Sequence, residues 1–178
     1  PAALPLRGLT VECWVKPWRV DVRQSLIGQY DFPARCGWGL FIEEGGALGL
    51  HLGDGGAFQA DALQARGRLA ARRWQHVAAT WNGRVAALWI DGVQAGQWEA
   101  AQEVRPGPAP LRLGAAAVDG LADLFADADL LMPVLYDRAL EAGEIAQRFA
   151  GRGLVVPAGR SVLACWPLRE ERGAQVAD

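Results

Sequence analysis

Small or aliphatic side chains alternate with polar and aromatic ones at the start of the chain. Between residues 9 and 16, the odd positions hold Leu9, Val11, Cys13 and Val15. This period of two is typical of a β-strand with one buried face. We expect the strand to end at Pro17, because proline cannot donate a hydrogen bond to a neighbouring strand.

Similar short segments recur along the chain and predict further strands. They cover residues 24–30, 37–43, 47–52, 74–82, 84–91, 93–98, 129–136 and 161–168. Glycine pairs at 45–46 and 55–56 indicate turns, and Pro133 indicates an edge strand or a bulge. Apolar residues on one face predict a helix from Leu140 to Ala150. Short, regularly spaced strands with one late helix predict an all-β fold, a sandwich of two antiparallel sheets.

Two dipeptides in the middle of the chain predict tight hairpin turns. Asn82-Gly83 separates two alternating segments, and Asp91-Gly92 follows the second of them. Asn-Gly and Asp-Gly adopt the positive φ angles that two-residue hairpin loops require. We therefore predict a meander with a two-residue turn at each dipeptide.

The order of the motifs resembles a known family. Residues 74–80 have the sequence W-Q-H-V-A-A-T, 88–92 have L-W-I-D-G, 9–17 have L-T-V-E-C-W-V-K-P, and 134–140 have V-L-Y-D-R-A-L. Together they resemble laminin G-like, concanavalin A-like jelly-roll domains. The resemblance implies a jelly-roll β-sandwich with one short C-terminal helix. It also implies a domain that mostly binds other molecules or acts as a spacer.

A fainter resemblance concerns the end of the chain. Residues 163–168, L-A-C-W-P-L, are similar to the strand that follows a sandwich domain inside the large subunit of dimethylformamidase-like amidohydrolases. This resemblance implies an accessory domain whose active site lies outside these residues.

The size and composition of the chain fit one domain. It has 178 residues, 51% of them apolar, and eight tryptophans, so it can bury a large core. We predict a single domain over 1–178, with its core at 9–150 and a returning terminal strand at 161–168. Because the chain starts at Pro1, we expect a piece excised from a longer protein. Whether a signal peptide was removed is left open.

The net charge and the cysteine content limit the classes of partner and the cellular compartment that we expect. A net charge of −2 argues against nucleic acid, which needs a clustered basic face. No apolar run reaches the roughly 18 residues of a membrane span. The odd number of cysteines (Cys13, Cys36 and Cys165) favours a reducing, cytoplasmic compartment. We expect all three to be small buried apolar groups, although Cys13 and Cys165 would suit neighbouring strands.

No catalytic residue is predicted. Laminarinase-type enzymes of this fold carry an E-x-D-x-x-E strand motif that holds two carboxylates about 5 Å apart, and this chain lacks it. A G-x-S-x-G nucleophile elbow is also missing. For His76, in the central hairpin, we expect a structural hydrogen bond to a neighbouring strand.

Ligand binding is the more open question. Trp18 and Trp98 lie outside the family-like motifs, so we expect them to be exposed and able to stack on a sugar. His51 and Asp54, which we expect in a loop, are further ligand candidates, although a polar turn explains them as simply.

A calcium site is a second possibility. Asp119, Asp123, Asp127 and Asp129 lie within eleven residues, and calcium prefers several oxygen ligands from loops. A solvated acidic edge is the alternative. We predict no other cofactor, and two histidines with scattered cysteines argue against zinc.

We therefore predict a non-catalytic laminin G-like interaction or accessory module that contacts neighbouring domains or a protein partner. One alternative is a carbohydrate-binding, lectin-like module, assisted by calcium. The other is the accessory domain of a dimethylformamidase-like amidohydrolase.

Overall fold

The computed structural model describes residues 8–56, 63–101 and 103–168. The elements in these ranges are β1 (Leu9–Pro17), β2 (Gln24–Gly28), β3 (Cys36–Ile42), β4 (Ala47–Asp54), β5 (Gln64–Arg68), β6 (Gln75–Trp81), β7 (Val85–Ile90), β8 (Val93–Glu99), β9 (Arg112–Leu113), β10 (Ala116–Val118), β11 (Leu121–Asp123), β12 (Ala128–Tyr136), α1 (Ala142–Ala150) and β13 (Val162–Cys165).

The strands form two antiparallel sheets and a small hairpin. One sheet has six strands in the order β13-β12-β1-β6-β7-β8, and the other has five in the order β5-β4-β3-β2-β9. Strands β10 and β11 form a separate hairpin, and Ala117 of β10 also makes an isolated bridge to Asp31. The arrangement confirms the predicted all-β, two-sheet jelly-roll sandwich with one short helix near its C-terminal end.

The main core lies between the two sheets. Leu9, Val11, Cys13 and Val15 of β1 are each at most 1% exposed, which confirms the face predicted from their alternation. They pack with aliphatic residues from both sheets, such as Leu40 and Leu88. Each fully buried side chain of this kind contributes about 1.5–3 kcal/mol to folding.

The outer faces of both sheets are also partly covered. Helix α1 places Ile145 in a second apolar cluster with Met132, Val134 and Tyr136 of β12. A third cluster, which includes Tyr30, Phe32 and Phe41, covers part of the five-stranded sheet. The second cluster matters for function, because it holds the helix beside an uncovered part of the six-stranded sheet.

The two predicted hairpin turns differ in outcome. Asp91 and Gly92 have φ angles of 51° and 77° and connect β7 to β8, as predicted. The first turn lies one residue later than predicted, because Asn82 N–H donates to Val85 O at 3.1 Å. Its two-residue loop is therefore 83–84, with Gly83 at φ 87° in the first position, where a type II′ turn requires glycine.

Pro133 lies at a bulge, the second of the two predicted alternatives. The pairing between β1 and β12 shifts where Glu12 opposes Val134 and Trp14 opposes Leu131. Met132 has a φ of 53° at this point. Strand β12 lies between β13 and β1, so Pro133 is not on an edge strand.

The C-terminal strand pairs with β12 and not with β1. Cys165 accordingly belongs to the outer cluster, whereas Cys13 belongs to the core between the sheets. The idea that these two cysteines share neighbouring strands is therefore wrong. All three cysteines are buried, which confirms the prediction of small buried groups.

Four short strands escaped the sequence prediction, namely β5, β9, β10 and β11. Strand β11 is exposed along its whole length, and Leu121 and Phe125 are 73% and 64% exposed. Leu121 and Phe125, which lie between the aspartates, are therefore not part of a buried strand. No helix in the described ranges has the length and apolarity needed to cross a membrane.

Candidate ligand-binding cleft

Strand β1 supplies the base of the candidate site. Its odd-numbered residues face the core, so Glu12, Trp14 and Lys16 face outward. Trp14 is flanked across the sheet by His76 of β6 and Leu131 of β12. Glu12 is buried beside α1, whereas Trp14 and Lys16 are partly exposed.

An open cleft of about 640 Å³ lies over this row. Its lining residues come from five separate parts of the chain and are Trp14, Arg73, Trp74, Asp91, Leu131, Phe149, Ala150 and Arg152. Most of the lining is apolar, with a few charged groups around it. Ligand pockets in proteins generally have this size and composition.

Aromatic rings form the walls of the cleft. Trp14 stacks on Phe149 of α1, with ring centroids 5.7 Å apart and an interplanar angle of 20°. The rings of Trp14 and His76 lie 5.5 Å apart. Trp74 is 41% exposed, so one indole in the cleft is available to a ligand.

Charged groups at the cleft supply hydrogen-bonding capacity. Asp91 Oδ1 accepts the backbone N–H of His76 at 2.9 Å, which fixes the carboxylate at the end of β7. The guanidinium groups of Arg73 and Arg152 form no hydrogen bond or ion pair with any residue of the described ranges. Both are therefore available as donors to a bound molecule.

A buried polar network lies beside the cleft and is centred on Glu12, which is 1% exposed. Its Oε1 accepts Tyr136 O–H at 2.9 Å and Arg148 Nε–H at 2.6 Å. Its Oε2 lies 3.0 Å from His76 Nε2. The structural role predicted for His76, a bond to a neighbouring strand, is thus confirmed.

Burial alone would raise the pKa of Glu12. The hydrogen bond and charge of His76, with the guanidinium of Arg148, outweigh burial and hold that pKa below its ordinary value. Burial and the nearby Glu12 carboxylate raise the pKa of Tyr136. The network therefore holds a carboxylate ion and a neutral phenol, and ties α1 to β1.

Trp18 lies next to the cleft, at the end of β1. It is 46% exposed, as predicted, and its Nε1–H donates to Asp129 Oδ1 at 3.2 Å. Lys16 Nζ pairs with Asp129 at 2.6 Å and lies 4.4 Å from the Trp18 ring and 5.6 Å from the Trp74 ring. The lysine therefore links the two exposed indoles.

The other predicted ligand residues lie elsewhere. His51 is in β4 and not in a loop, is 1% exposed, and has Nε2 2.7 Å from Glu43 Oε1. Asp54 ends the same strand, and its Oδ1 accepts the Gly56 N–H at 2.7 Å. Trp98 is on edge strand β8 and packs partly against the core. The structure does not bring these three residues together with Trp18.

The four aspartates of the predicted calcium site do not converge. Asp119 is at the turn between β10 and β11, Asp123 accepts the Leu124 N–H, and Asp129 pairs with Lys16. Across the described ranges, no three His, Cys, Asp or Glu side chains are grouped to hold a metal ion. The four carboxylates are therefore not grouped in the described residues, because the segment runs through two strands and a turn, and the calcium site stays a prediction beside the alternative of a solvated acidic edge.

Sequence reasoning missed Trp14 and Trp74 as site residues. Both fall in family-like motifs, which favoured a packing role. The alternation in β1 did indicate that Trp14 faces outward, because Trp14 shares the even-numbered face of the strand with the polar residues Glu12 and Lys16.

The two antiparallel sheets define a jelly-roll β-sandwich. A family model described as the concanavalin A-like lectin/glucanases superfamily (Laminin_G_3) matches residues 1–146. The chain belongs to this laminin G-like family. Among curated proteins, none matches the chain.

Solved structures share the fold at low identity. A candidate carbohydrate-binding protein from Bacteroides ovatus matches with a TM-score of 0.76 and 13% identity over 98% of this chain. The present chain spans about half of that protein, 49% of its length. A pentraxin from Limulus polyphemus matches with a TM-score of 0.64 and 18% identity, over 99% of this chain and 82% of the pentraxin chain. The IT-sialidase CBM40 of Ruminococcus gnavus, bound to α2,3-sialyllactose, matches with a TM-score of 0.61 and 16% identity, over 81% of this chain and 83% of the CBM40 chain.

Proposed function

We propose that this domain is a non-catalytic glycan-binding module and that the glycan binds in the Trp14–Trp74 cleft. The observation that carries the proposal is the combination of an exposed indole, stacked aromatic walls and charged groups in one cleft. A pyranose ring has apolar C–H faces and a rim of hydroxyls. Aromatic planes complement the faces, and a few placed polar groups complement the rim.

The charged residues suit hydroxyl recognition. Asp91 is an acceptor held in place by its bond to the His76 backbone. Arg73 and Arg152 offer several N–H donors each. A hydroxyl needs both kinds of partner, because it donates one hydrogen bond and accepts others.

The known relatives are consistent with this ligand class. The Bacteroides ovatus protein is described as a candidate carbohydrate-binding protein, and the Ruminococcus gnavus CBM40 was solved with α2,3-sialyllactose. We extend that ligand class to the present chain as part of the proposal.

The buried carboxylates support a non-catalytic role. Glu12 lies in the six-stranded sheet and Glu43 follows β3 in the other sheet. Burial would raise the pKa of Glu43, but its interactions with His51 and Arg23 outweigh burial and lower that pKa below its ordinary value. His76 and Arg148 do the same for Glu12. Both groups are therefore ionised, and each is engaged by its own partners. A glycosidase needs two carboxyl groups facing one bond.

A glycan array followed by thermal melts tests the proposal. We expect at least one glycan to raise the melting temperature of the domain, since a ligand of the folded state stabilises it. Trp74→Ala should abolish that shift, whereas Phe125→Ala, which removes an aromatic 64% exposed outside the cleft, should keep it. Repeating the melts in EDTA tests the calcium-assisted alternative. The proposal is wrong if no glycan shifts the melt.

A second candidate function is an interdomain or protein contact. Leu154, Val155, Val156 and Leu163 are 71%, 61%, 49% and 37% exposed. They lie on or near edge strand β13, and an unpaired strand edge with apolar side chains favours association. Hydrogen exchange at residues 154–156 and 162–165, in this domain and in a longer polypeptide, tests this contact. The amidohydrolase accessory role stays a prediction, because its active site would lie outside this sequence.

A further inference from the structure

Two arginines of the Trp14–Trp74 cleft carry charges that no residue of the described ranges neutralises. Arg73 lies next to Trp74, just before β6, and Arg152 follows the C-terminal end of α1. Both side chains are exposed and both line the cleft. Neither guanidinium forms a hydrogen bond or ion pair within the described part of the chain. Each therefore keeps its full set of N–H donors and its positive charge.

Other charged groups beside the cleft are paired. Lys16 Nζ lies 2.6 Å from Asp129 Oδ2, and Arg148 Nε lies 2.6 Å from Glu12 Oε1. Among the described residues that line the cleft, Asp91 supplies the one carboxylate.

Two guanidiniums and one carboxylate leave the lining of the cleft with one net positive charge, whereas the whole chain carries a net charge of −2. A concave site whose charge is opposite in sign to that of the rest of the molecule favours ligands of the complementary charge. The cleft therefore favours an anionic ligand.

The backbone of Arg152 supports a role for its side chain. Its φ of 49° lies in the left-handed region that favours glycine, and residues in this conformation after a helix are most often glycine or asparagine. Arg152 N–H donates to Phe149 O at 3.0 Å, and Leu154 N–H donates to Gly151 O at 2.9 Å, so the turn holds this conformation. A long charged side chain thus occupies a position where the backbone prefers glycine, and such strain is often found at binding sites.

The same turn lies against the apolar surface of the cleft. A Cβ at Gly153 would lie 3.1 Å from Trp14 Cδ1 and 3.1 Å from Leu131 Cδ2. Arg152 is therefore held at the edge of the apolar surface over which the glycan of the proposed function lies.

Arg73 belongs to a second fixed turn. Arg72 N–H donates to Pro17 O at 2.6 Å, and Ala70 N–H donates to Gln75 Oε1 at 2.7 Å. These bonds hold the chain on both sides of Arg73. Its side chain lines the cleft next to the exposed Trp74.

Guanidinium groups bind oxyanions more strongly than they bind neutral hydroxyls. Hydrogen bonds between charged partners are roughly twice as strong as those between neutral groups. The planar guanidinium also matches the paired oxygens of a carboxylate or a sulfate. Two unpaired guanidiniums at one aromatic cleft therefore suit a sugar that carries an oxyanion group.

We propose that the glycan bound in this cleft is acidic, and that its carboxylate or sulfate accepts hydrogen bonds from Arg73 and Arg152. The sugar ring lies against the Trp74 indole, and a hydroxyl donates to Asp91. This inference rests on the proposed function and specifies its ligand class.

Nuclear magnetic resonance titrations followed at the Trp74 indole N–H signal test the charge of the ligand. The probes are methyl β-D-glucuronide, its carboxylate methyl ester, methyl β-D-glucoside and methyl β-D-glucoside 6-sulfate. We expect the glucuronide or the 6-sulfate to bind at least tenfold more tightly than the neutral glucoside, and the ester to bind no more tightly than the glucoside. Added salt should weaken binding of the acidic probe and leave that of the glucoside unchanged, because salt screens exposed charges.

Three variants test the two arginines. Arg152→Gly should leave the melting temperature close to that of the wild type, because glycine suits the left-handed backbone, yet it should remove most of the preference for the acidic probe. Arg73→Gln should also reduce that preference. Arg160→Gln removes an exposed arginine outside the cleft lining and changes the net charge equally, so it should keep the preference.

Different results separate this inference from the proposed function. If the Trp74 signal moves with equal affinity for the glucoside and both acidic probes, the acidic ligand class is wrong and the glycan-binding cleft stands. A preference for the acidic probe that survives in the Arg73→Gln/Arg152→Gly double variant contradicts the assignment to these arginines. If no probe moves the Trp74 signal, this inference is overturned, and the glycan array decides the proposed function separately.

Discussion

Arg148 on α1 donates its Nε–H to Glu12 Oε1 on β1 at 2.6 Å, a bond between residues 136 positions apart in sequence. The next residue of the helix, Phe149, stacks on Trp14 in the cleft. The hydrogen bond that anchors the helix therefore also positions one wall of the proposed binding site. We therefore expect the stability of the domain and the proposed binding to be coupled through these neighbouring side chains.

Arg148→Ala should strongly destabilise the domain. The substitution removes one partner from a carboxylate that is 1% exposed, and breaking a buried pair in this way costs about 3 kcal/mol. Urea denaturation of both proteins measures the difference in free energy of unfolding.

Arg138→Ala is the matched control for that variant. Arg138 also binds a glutamate through its guanidinium, with distances of 2.7 and 2.6 Å to the two oxygens of Glu144. These side chains are 45% and 38% exposed, so the loss should be under about 1 kcal/mol. Equal losses in the two variants would contradict the structural importance of the Glu12 network.

The stability of the domain should fall in acid because of Glu12 and Glu43. Both have a folded-state pKa below the ordinary value of 4.5, since His and Arg partners outweigh the effect of burial. Between the folded and unfolded pKa values the unfolded state binds more protons, so stability rises with pH there. The stability that the two carboxylates contribute is fully present above about pH 4.5 and is lost as the pH falls through their folded-state pKa values.

Chemical denaturation between pH 7 and pH 3 measures this dependence. Glu43→Gln should show a shallower loss in acid than the wild type, because one titrating group has gone. Added salt should leave most of the slope in place, since buried pairs are screened less than exposed ones. A Glu43→Gln slope as steep as that of the wild type would contradict the assignment to Glu43.

The three cysteines should resist modification in the folded protein. Cys13, Cys36 and Cys165 are 1%, 4% and 9% exposed, and burial raises the pKa of the Cys13 thiol, so little thiolate is present to react. A colorimetric thiol reagent should titrate three groups in denaturant and almost none within minutes in native buffer. Rapid native reaction of a thiol would show that its strand is more open than described.

Phe149→Ala and Trp74→Ala should separate stability from binding. Phe149 is half-buried against Trp14, so its loss should cost about 2 kcal/mol of stability as well as ligand affinity. Trp74 is 41% exposed, so its loss should cost about 1 kcal/mol or less while reducing affinity at least tenfold. Calorimetric melts and ligand titrations of the two variants provide the comparison.

Much of the fold was predictable because the sequence pattern is local. The alternation in β1, the Asp91-Gly92 turn and the helix face of α1 each follow from residues close in sequence. The first hairpin turn was misplaced by one residue, since Asn82 accepts hydrogen bonds from the N–H groups of Arg84 and Val85 and so lies before the loop. Polar or exposed strands such as β5 and β11 have no apolar period to reveal them.

The site was less predictable because its residues meet only through tertiary packing. Trp14, Trp74 and Phe149 come from segments far apart in sequence, and their motifs favoured a packing role. His51, a ligand candidate, lies in β4, within the strand predicted at 47–52, and its ring nitrogen is beside Glu43. No pattern in the sequence shows which outward-facing residues α1 covers and which it leaves open.

The most direct test of the glycan-binding proposal is a titration followed at the eight tryptophan indole N–H signals, with the glycan that gives the largest thermal shift. The account predicts that the Trp74 and Trp14 signals move together and saturate. The signals of Trp81 and Trp89, whose indoles donate to Ala100 O and Thr80 Oγ1 inside the protein, should stay in place. If a bound glycan leaves Trp74 and Trp14 unmoved, the cleft is not the binding site.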